Sequence, residues 1–81
     1  MKGKGGAMTD NNATKGGKLV KLARTIRGYN RADLAGLTGF SVKTLYNWES
    51  GRARPSYDDV DLIIKTLHFT VSELEDLPHA A

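Results

Sequence analysis

Three side chains near the start of one short predicted helix could contact another molecule. Residues 42–50 predict a helix in which Leu45 and Trp48, three positions apart, turn to the same inner side. The helical period then places Val42, Lys43 and Asn47 on the outer side. Lysine donates hydrogen bonds, the asparagine side chain donates and accepts them, and valine offers an apolar contact. These residue types suit the recognition of a partner surface, although the same positions could instead form a solvated helix face.

The sequence contains few residue patterns that would indicate catalysis or metal binding. The chain contains no cysteine, and its two histidines, His68 and His79, have no partners at metal-ligand spacing. The sequence holds neither a Ser/His/Asp set in a suggestive context nor a phosphate-cradling loop. The acidic residues at positions 58, 59 and 61 are explained by a favourable interaction with a helix dipole. We therefore expect no enzyme, no catalytic residue, no cofactor and no metal site.

The charge of the chain changes sign along its length. Twelve Lys and Arg residues against nine Asp and Glu residues give a net charge of +3. Residues 1–31 carry +7, residues 32–56 carry +1, and residues 57–81 carry −5. This asymmetry favours a polyanionic partner for one face and another role for the opposite face, although charged surfaces are common in soluble proteins.

The size of the chain limits it to one small domain. Its 81 residues bury about 60% of their unfolded surface, a degree of burial that favours an economical helical core. No apolar run approaches the roughly 20 residues needed to cross a bilayer. The first residues lack the apolar segment of a secretory signal, so we expect a cytoplasmic protein.

Capping signals and apolar spacing predict five helices and no strand. Residues 1–17 hold five of the nine glycines and predict a flexible basic arm, residues 18–77 the helical domain, and residues 78–81 a tail. Predicted N-terminal caps and capping boxes are Asn30 with Asp33, Ser41, and Thr70 with Glu73. In the second helix we expect the side chains of residues 34, 35 and 37 to point inward.

The order of these signals resembles a known family. The register reads Asn30-Arg31-Ala32-Asp33-Leu34-Ala35, then Gly39-Phe40-Ser41, then Leu45-Tyr46-Asn47-Trp48-Glu49-Ser50-Gly51, with Pro55 following. Over residues 18–77 the chain resembles the Cro/Xre-type (phage-repressor-like) helix-turn-helix family. The resemblance implies an all-α, compact five-helix lambda-repressor-like DNA-binding domain, with a positive φ at His68, where the family commonly has a turn glycine.

The resemblance also implies roles for individual residues. It places Val42, Lys43 and Asn47 at positions that contact DNA bases and Arg31 at a position that contacts the DNA backbone. Ser41 and Thr44 could also contact phosphate, because they offer hydroxyl and amide groups at a helix N-terminus. Arg52 and Arg54 follow this helix and could contact phosphate or the minor groove. Lys43 could donate to guanine, Asn47 could pair with adenine, and Val42 could pack on a thymine methyl group. Arg24 and Glu49 would form a structural ion pair.

Two functions follow from this resemblance. The first is a sequence-specific transcriptional repressor that reads the major groove of double-stranded DNA with its third helix, as a homodimer on a palindromic operator. The alternative is an antitoxin-like or adaptor protein that binds a partner protein through its acidic C-terminal third. The two can coexist in one protein.

Overall fold

Residues 13–76 form a bundle of five helices in the computed structural model, which describes this part of the chain. The helices are α1 (Lys15–Arg27), α2 (Arg31–Thr38), α3 (Val42–Ser50), α4 (Tyr57–Thr66) and α5 (Val71–Asp76). No strand occurs within residues 13–76, so the predicted all-α class is confirmed. Residues 1–12 of the predicted arm and the predicted tail, residues 78–81, lie outside the described residues.

Helix α1 begins three residues earlier than the apolar pattern predicted. The hydroxyl of Thr14 accepts a hydrogen bond of 3.1 Å from the amide of Gly17 and so caps the helix. Gly17 is buried, because its backbone lies directly against the backbone carbonyl of Trp48 in α3. The first turn of α1 is therefore packed against α3, whereas the glycine content of residues 1–17 predicted a flexible arm there.

Helices α2 and α3 are capped as predicted and meet at a tight turn. Asn30 and Asp33 form a reciprocal capping box at the start of α2. Gly39 ends α2 with φ 86°, a left-handed conformation that a residue with a side chain adopts only at a cost. Ser41 then accepts from the amide of Thr44 at 3.0 Å and starts α3 only two residues later.

Arg27 secures the turn between α4 and α5. His68 has φ 65°, as predicted for a position where a glycine was expected. The guanidinium group of Arg27 donates to the carbonyl of Leu67 at 2.7 Å and to that of His68 at 3.1 Å. The same group lies 4.0 Å from the ring centroid of Phe69. Helix α5 follows with a capping box between Thr70 and Glu73.

The core lies between α1, α4 and the inner sides of α2, α3 and α5. Its buried members are Leu19, Val20, Ala23, Leu34, Leu45, Trp48, Val60, Ile63, Ile64, Leu67 and Leu74. The inward position predicted for Leu37 is wrong, since 54% of this residue is exposed. The inner side of α2 runs through Arg31, Leu34 and Thr38, at spacings of three and four, and residue 37 falls outside that arc.

Within residues 13–76 no helix is long and apolar enough to cross a membrane.

Candidate nucleic-acid interface

The inner face of α3 fixes the orientation of this helix. Leu45 and Trp48 are buried, as the sequence predicted, and the rings of Phe40 and Trp48 pack edge to face with centroids 5.0 Å apart. Glu49 shares this face and is only 4% exposed. Because Leu45, Trp48 and Glu49 are all buried, α3 cannot rotate about its axis without exposing apolar surface or a buried charge.

Glu49 is paired with Arg24 of α1. The guanidinium group donates two hydrogen bonds to the carboxylate, from Nε at 2.9 Å and from Nη2 at 2.8 Å. A third donor, Nη1, bonds to the carbonyl of Tyr29 at 2.8 Å. The hydrogen bonds to Glu49 raise the pKa of Arg24 above its ordinary value, against the opposing effect of burial. The structure therefore places these two residues in the contact that the resemblance implied.

Arg31 also contacts Glu49, which the sequence interpretation did not include. Its Nε donates to Oε1 of Glu49 at 3.1 Å, and its side chain remains 34% exposed. Its terminal nitrogens make no hydrogen bond within residues 13–76. The spacing of Arg31 with Leu34 and Thr38 was a sequence signal that this arginine lies on the inner side of α2, but it did not indicate Glu49 as the partner. Glu49 thus accepts from two arginines, and the cluster keeps an excess positive charge at the surface.

The predicted base-contacting residues lie together on the outer face of α3. Val42 is 46% exposed, Lys43 is exposed, and Asn47 is half-buried one turn later. The side chains of Lys43 and Asn47 form no hydrogen bond or ion pair within the described part of the chain. Polar groups of both side chains are therefore available to a ligand along this face.

Tyr46 belongs to the same face and was missed by the sequence interpretation. The residue is 42% exposed. The Cζ atom of Arg31 lies 5.2 Å from the centroid of its ring, and that of Arg52 lies 6.0 Å away. Its position four residues after Val42 was a signal for the outer face, since residues at this spacing are neighbours on a helix surface.

The predicted phosphate-contacting residues separate into two groups. Arg31 and Arg52 flank α3, and the hydroxyl groups of Ser41 and Thr44, 2.9 Å apart, lie at its N-terminus. Arg54 instead lines a groove of about 430 Å³ between α1, α4 and α5, with Pro55 among its neighbours. Four of the five predicted residues are thus gathered around α3.

The acidic residues of the C-terminal third are largely engaged within the domain. Asp59 and Glu73 belong to capping boxes, Asp61 pairs with Lys65 at 3.0 Å, and Glu75 pairs with Lys15. Lys15 therefore belongs to the helical domain, through its pairing with Glu75 of α5, and not to the flexible arm that the sequence predicted. Among the described residues, no group of three His, Cys, Asp or Glu side chains could hold a metal ion.

Comparison with known proteins gives one finding. A family model described as a helix-turn-helix domain matches residues 17–77, consistent with the resemblance noted from the sequence. No curated protein and no solved structure gives a significant match to the chain.

Proposed function

The chain belongs to the helix-turn-helix domain family, and from this premise we propose that it is a sequence-specific transcriptional repressor that reads the major groove of DNA with α3. The observation that carries this proposal is the division of α3 into two faces. Its inner face is held by Leu45, Trp48 and Glu49, whereas its outer face presents free side chains. A helix that is anchored on one side and open on the other can enter the groove without unfolding the domain.

The outer face offers three kinds of contact to base edges. Lys43 donates to O6 and N7 of guanine, Asn47 pairs with N6 and N7 of adenine, and Val42 packs on the methyl group of thymine. Each well-formed polar contact of this kind contributes about 1–3 kcal/mol of discrimination against the wrong base. Together these contacts would specify a short half-site.

Contacts to the DNA backbone would come from the groups that surround α3. The terminal nitrogens of Arg31, the guanidinium group of Arg52 and the N-terminal end of α3 suit phosphate oxygens. Ser41 and Thr44 add hydroxyl groups at this end, and Arg54 lines the groove between α1, α4 and α5. Because these contacts release counterions, affinity should fall steeply as the salt concentration rises.

Repression would require two copies of the domain. One recognition helix covers only a few base pairs, so a homodimer on a palindromic operator, with half-sites about one helical turn apart, gives the needed specificity. The alternative of an adaptor that binds through the acidic third is less favoured. Asp59 and Glu73 cap helices, and Asp61 and Glu75 pair with lysines at the surface, so a partner at this third would compete with these contacts.

Selection of bound sites from a random duplex pool tests the proposal. We expect the protein to enrich one palindromic sequence and to bind a scrambled duplex much more weakly, with a strong salt dependence for both. Lys65→Ala is the control for the loss of a positive charge away from the proposed interface. This lysine pairs with Asp61 on α4, so its loss should leave the enriched sequence unchanged. Failure to enrich any sequence, with copurification of a basic protein at fixed stoichiometry, would refute the repressor and favour the adaptor.

A further inference from the structure

We propose that Tyr46 is a positioning residue that holds Arg31 and Arg52 together as a pair facing the DNA backbone, an inference that rests on the proposed function. The two arginines come from opposite ends of the helix-turn-helix unit. Arg31 is the first residue of α2, and Arg52 lies in the turn after α3. Their guanidinium groups nevertheless converge on one aromatic ring, at 5.2 and 6.0 Å from its centroid.

The ring has no other evident task in the domain. Tyr46 is 42% exposed and is absent from the buried core. Its side chain makes no hydrogen bond within residues 13–76, so its replacement leaves no polar partner without a hydrogen bond. A large aromatic side chain that remains exposed between two cations is therefore better explained by its effect on those cations.

The two arginines depend on the ring to different degrees. Arg31 is already held through Nε by Glu49, so the ring restricts only the orientation of its terminal nitrogens. The side chain of Arg52 makes no ion pair or hydrogen bond within the described residues, and its Cζ atom lies 6.0 Å from the centroid of the ring. The backbone of Arg52 is fixed by a hydrogen bond of 2.9 Å from its amide to the carbonyl of Asn47. Tyr46 thus restricts the side chain of Arg52, whose backbone is already fixed by this hydrogen bond.

The physical reason for this role is electrostatic and entropic. Two guanidinium groups repel each other, and a free arginine side chain loses rotamer entropy when it is immobilised. The negative face of an aromatic ring attracts both cations and restricts them before DNA arrives. The phosphates then meet a pair of charges that is already assembled, and binding loses less entropy.

A double-mutant cycle on the selected duplex tests this role. Tyr46→Phe keeps the ring and should bind within about twofold of the wild-type protein, whereas Tyr46→Leu should bind about fivefold to tenfold more weakly, as expected for the loss of two exposed cation–π contacts. In an Arg52→Ala background the effect of Tyr46→Leu should be smaller, and in an Arg31→Ala, Arg52→Ala background it should vanish. The enriched sequence should not change. Leu62→Ala on α4 is the matched control for the loss of an exposed apolar side chain.

Three results would overturn the inference. The first is equal binding by Tyr46→Phe and Tyr46→Leu, which would remove the role of the ring. The second is an undiminished effect of Tyr46→Leu in the background without both arginines. The third is a changed base preference at one position with an unchanged salt dependence, which would make Tyr46 a base-reading residue. Absence of any duplex selected by the wild-type protein would instead refute the proposed function, so the two failures are distinguishable.

Discussion

The two faces of α3 differ in almost every physical property, although they share one segment of nine residues. The inner face consists of Leu45, Trp48 and Glu49, all buried, with the carboxylate bound by two arginines. The outer face presents Lys43 and Asn47, whose side chains make no polar contact within residues 13–76. The comparison teaches that the inner face determines where the helix lies, whereas the outer face leaves polar side chains open to a ligand. Substitutions on the inner face should therefore change stability first, and substitutions on the outer face should change DNA preference first.

The largest expected effect is that of Arg24→Ala. This change removes the bidentate partner of a carboxylate that is 1% exposed and leaves Arg31 as its single cation. Breaking a buried pair from one side costs about 3 kcal/mol, so the melting temperature should fall strongly. Thermal and urea unfolding measure this loss. Lys18→Ala, which removes an exposed positive charge from the same helix, should cost less than about 0.5 kcal/mol. Equal melting curves for the two variants would break the comparison.

A substitution at Gly17 should be almost as damaging. A methyl group at this position would overlap the backbone carbonyl oxygen of Trp48, and rigid backbone atoms cannot move aside as a flexible side chain can. We expect a loss of about 2–3 kcal/mol for Gly17→Ala, measured as a lower midpoint in urea unfolding. Unchanged stability would mean that α1 does not lie this close to the inner face of α3.

Substitutions on the outer face should leave stability intact and alter recognition. Lys43→Ala and Asn47→Ala should each relax the preference at one or two base pairs, by about 1–3 kcal/mol for a well-formed contact. Site selection with each variant measures this effect, and the melting temperature should stay within the error of the wild-type value. If Asn47→Ala changed neither affinity nor preference, the register assigned to the recognition helix would be wrong.

The smallest expected effect is a gain in stability at Gly36 of α2. Apart from the adjoining residues and backbone of α2 itself, no heavy atom lies within 4 Å of the position that a methyl group would occupy there, in contrast to Gly17. Gly36→Ala should therefore stabilise the domain by about 0.5–1 kcal/mol, because alanine favours the helix and restricts the unfolded chain. A higher midpoint in urea unfolding would sharpen the contrast between a helical glycine packed against α3 and one in open space. A loss of stability would show that α2 requires a glycine for another reason.

Most features that depend on neighbouring residues could be predicted from the sequence, although the Thr14 cap of α1 was not. The capping boxes at Asn30 and Thr70 and the glycine at position 39 involve groups no more than four residues apart. The inward orientation of Leu45 and Trp48 follows from the helical period in the same way. The pairing of Arg24 with Glu49 joins residues 25 positions apart, and it was accessible only through the family resemblance.

Features that depend on distant residues were missed or misjudged. The early start of α1 depends on the contact of Gly17 with Trp48, and composition alone gives no sign of it. The position of Leu37 depends on which side of α2 faces the bundle. The period allowed Tyr46 to be placed on the outer face, but the convergence of Arg31 and Arg52 on its ring required the packing of three separate segments.

The sequence by itself determined the number of helices, the caps of α2, α3 and α5 and the two faces of α3, because these are set by interactions within one or two turns of the chain. The tertiary structure alone decided that Glu49 binds Arg31 as well as Arg24, and that Lys15 belongs to the domain through Glu75. It also decided which cations lie around α3. The physical reason is that an ion pair or a cation–π contact depends on the positions of whole helices, and these are set by the shared core.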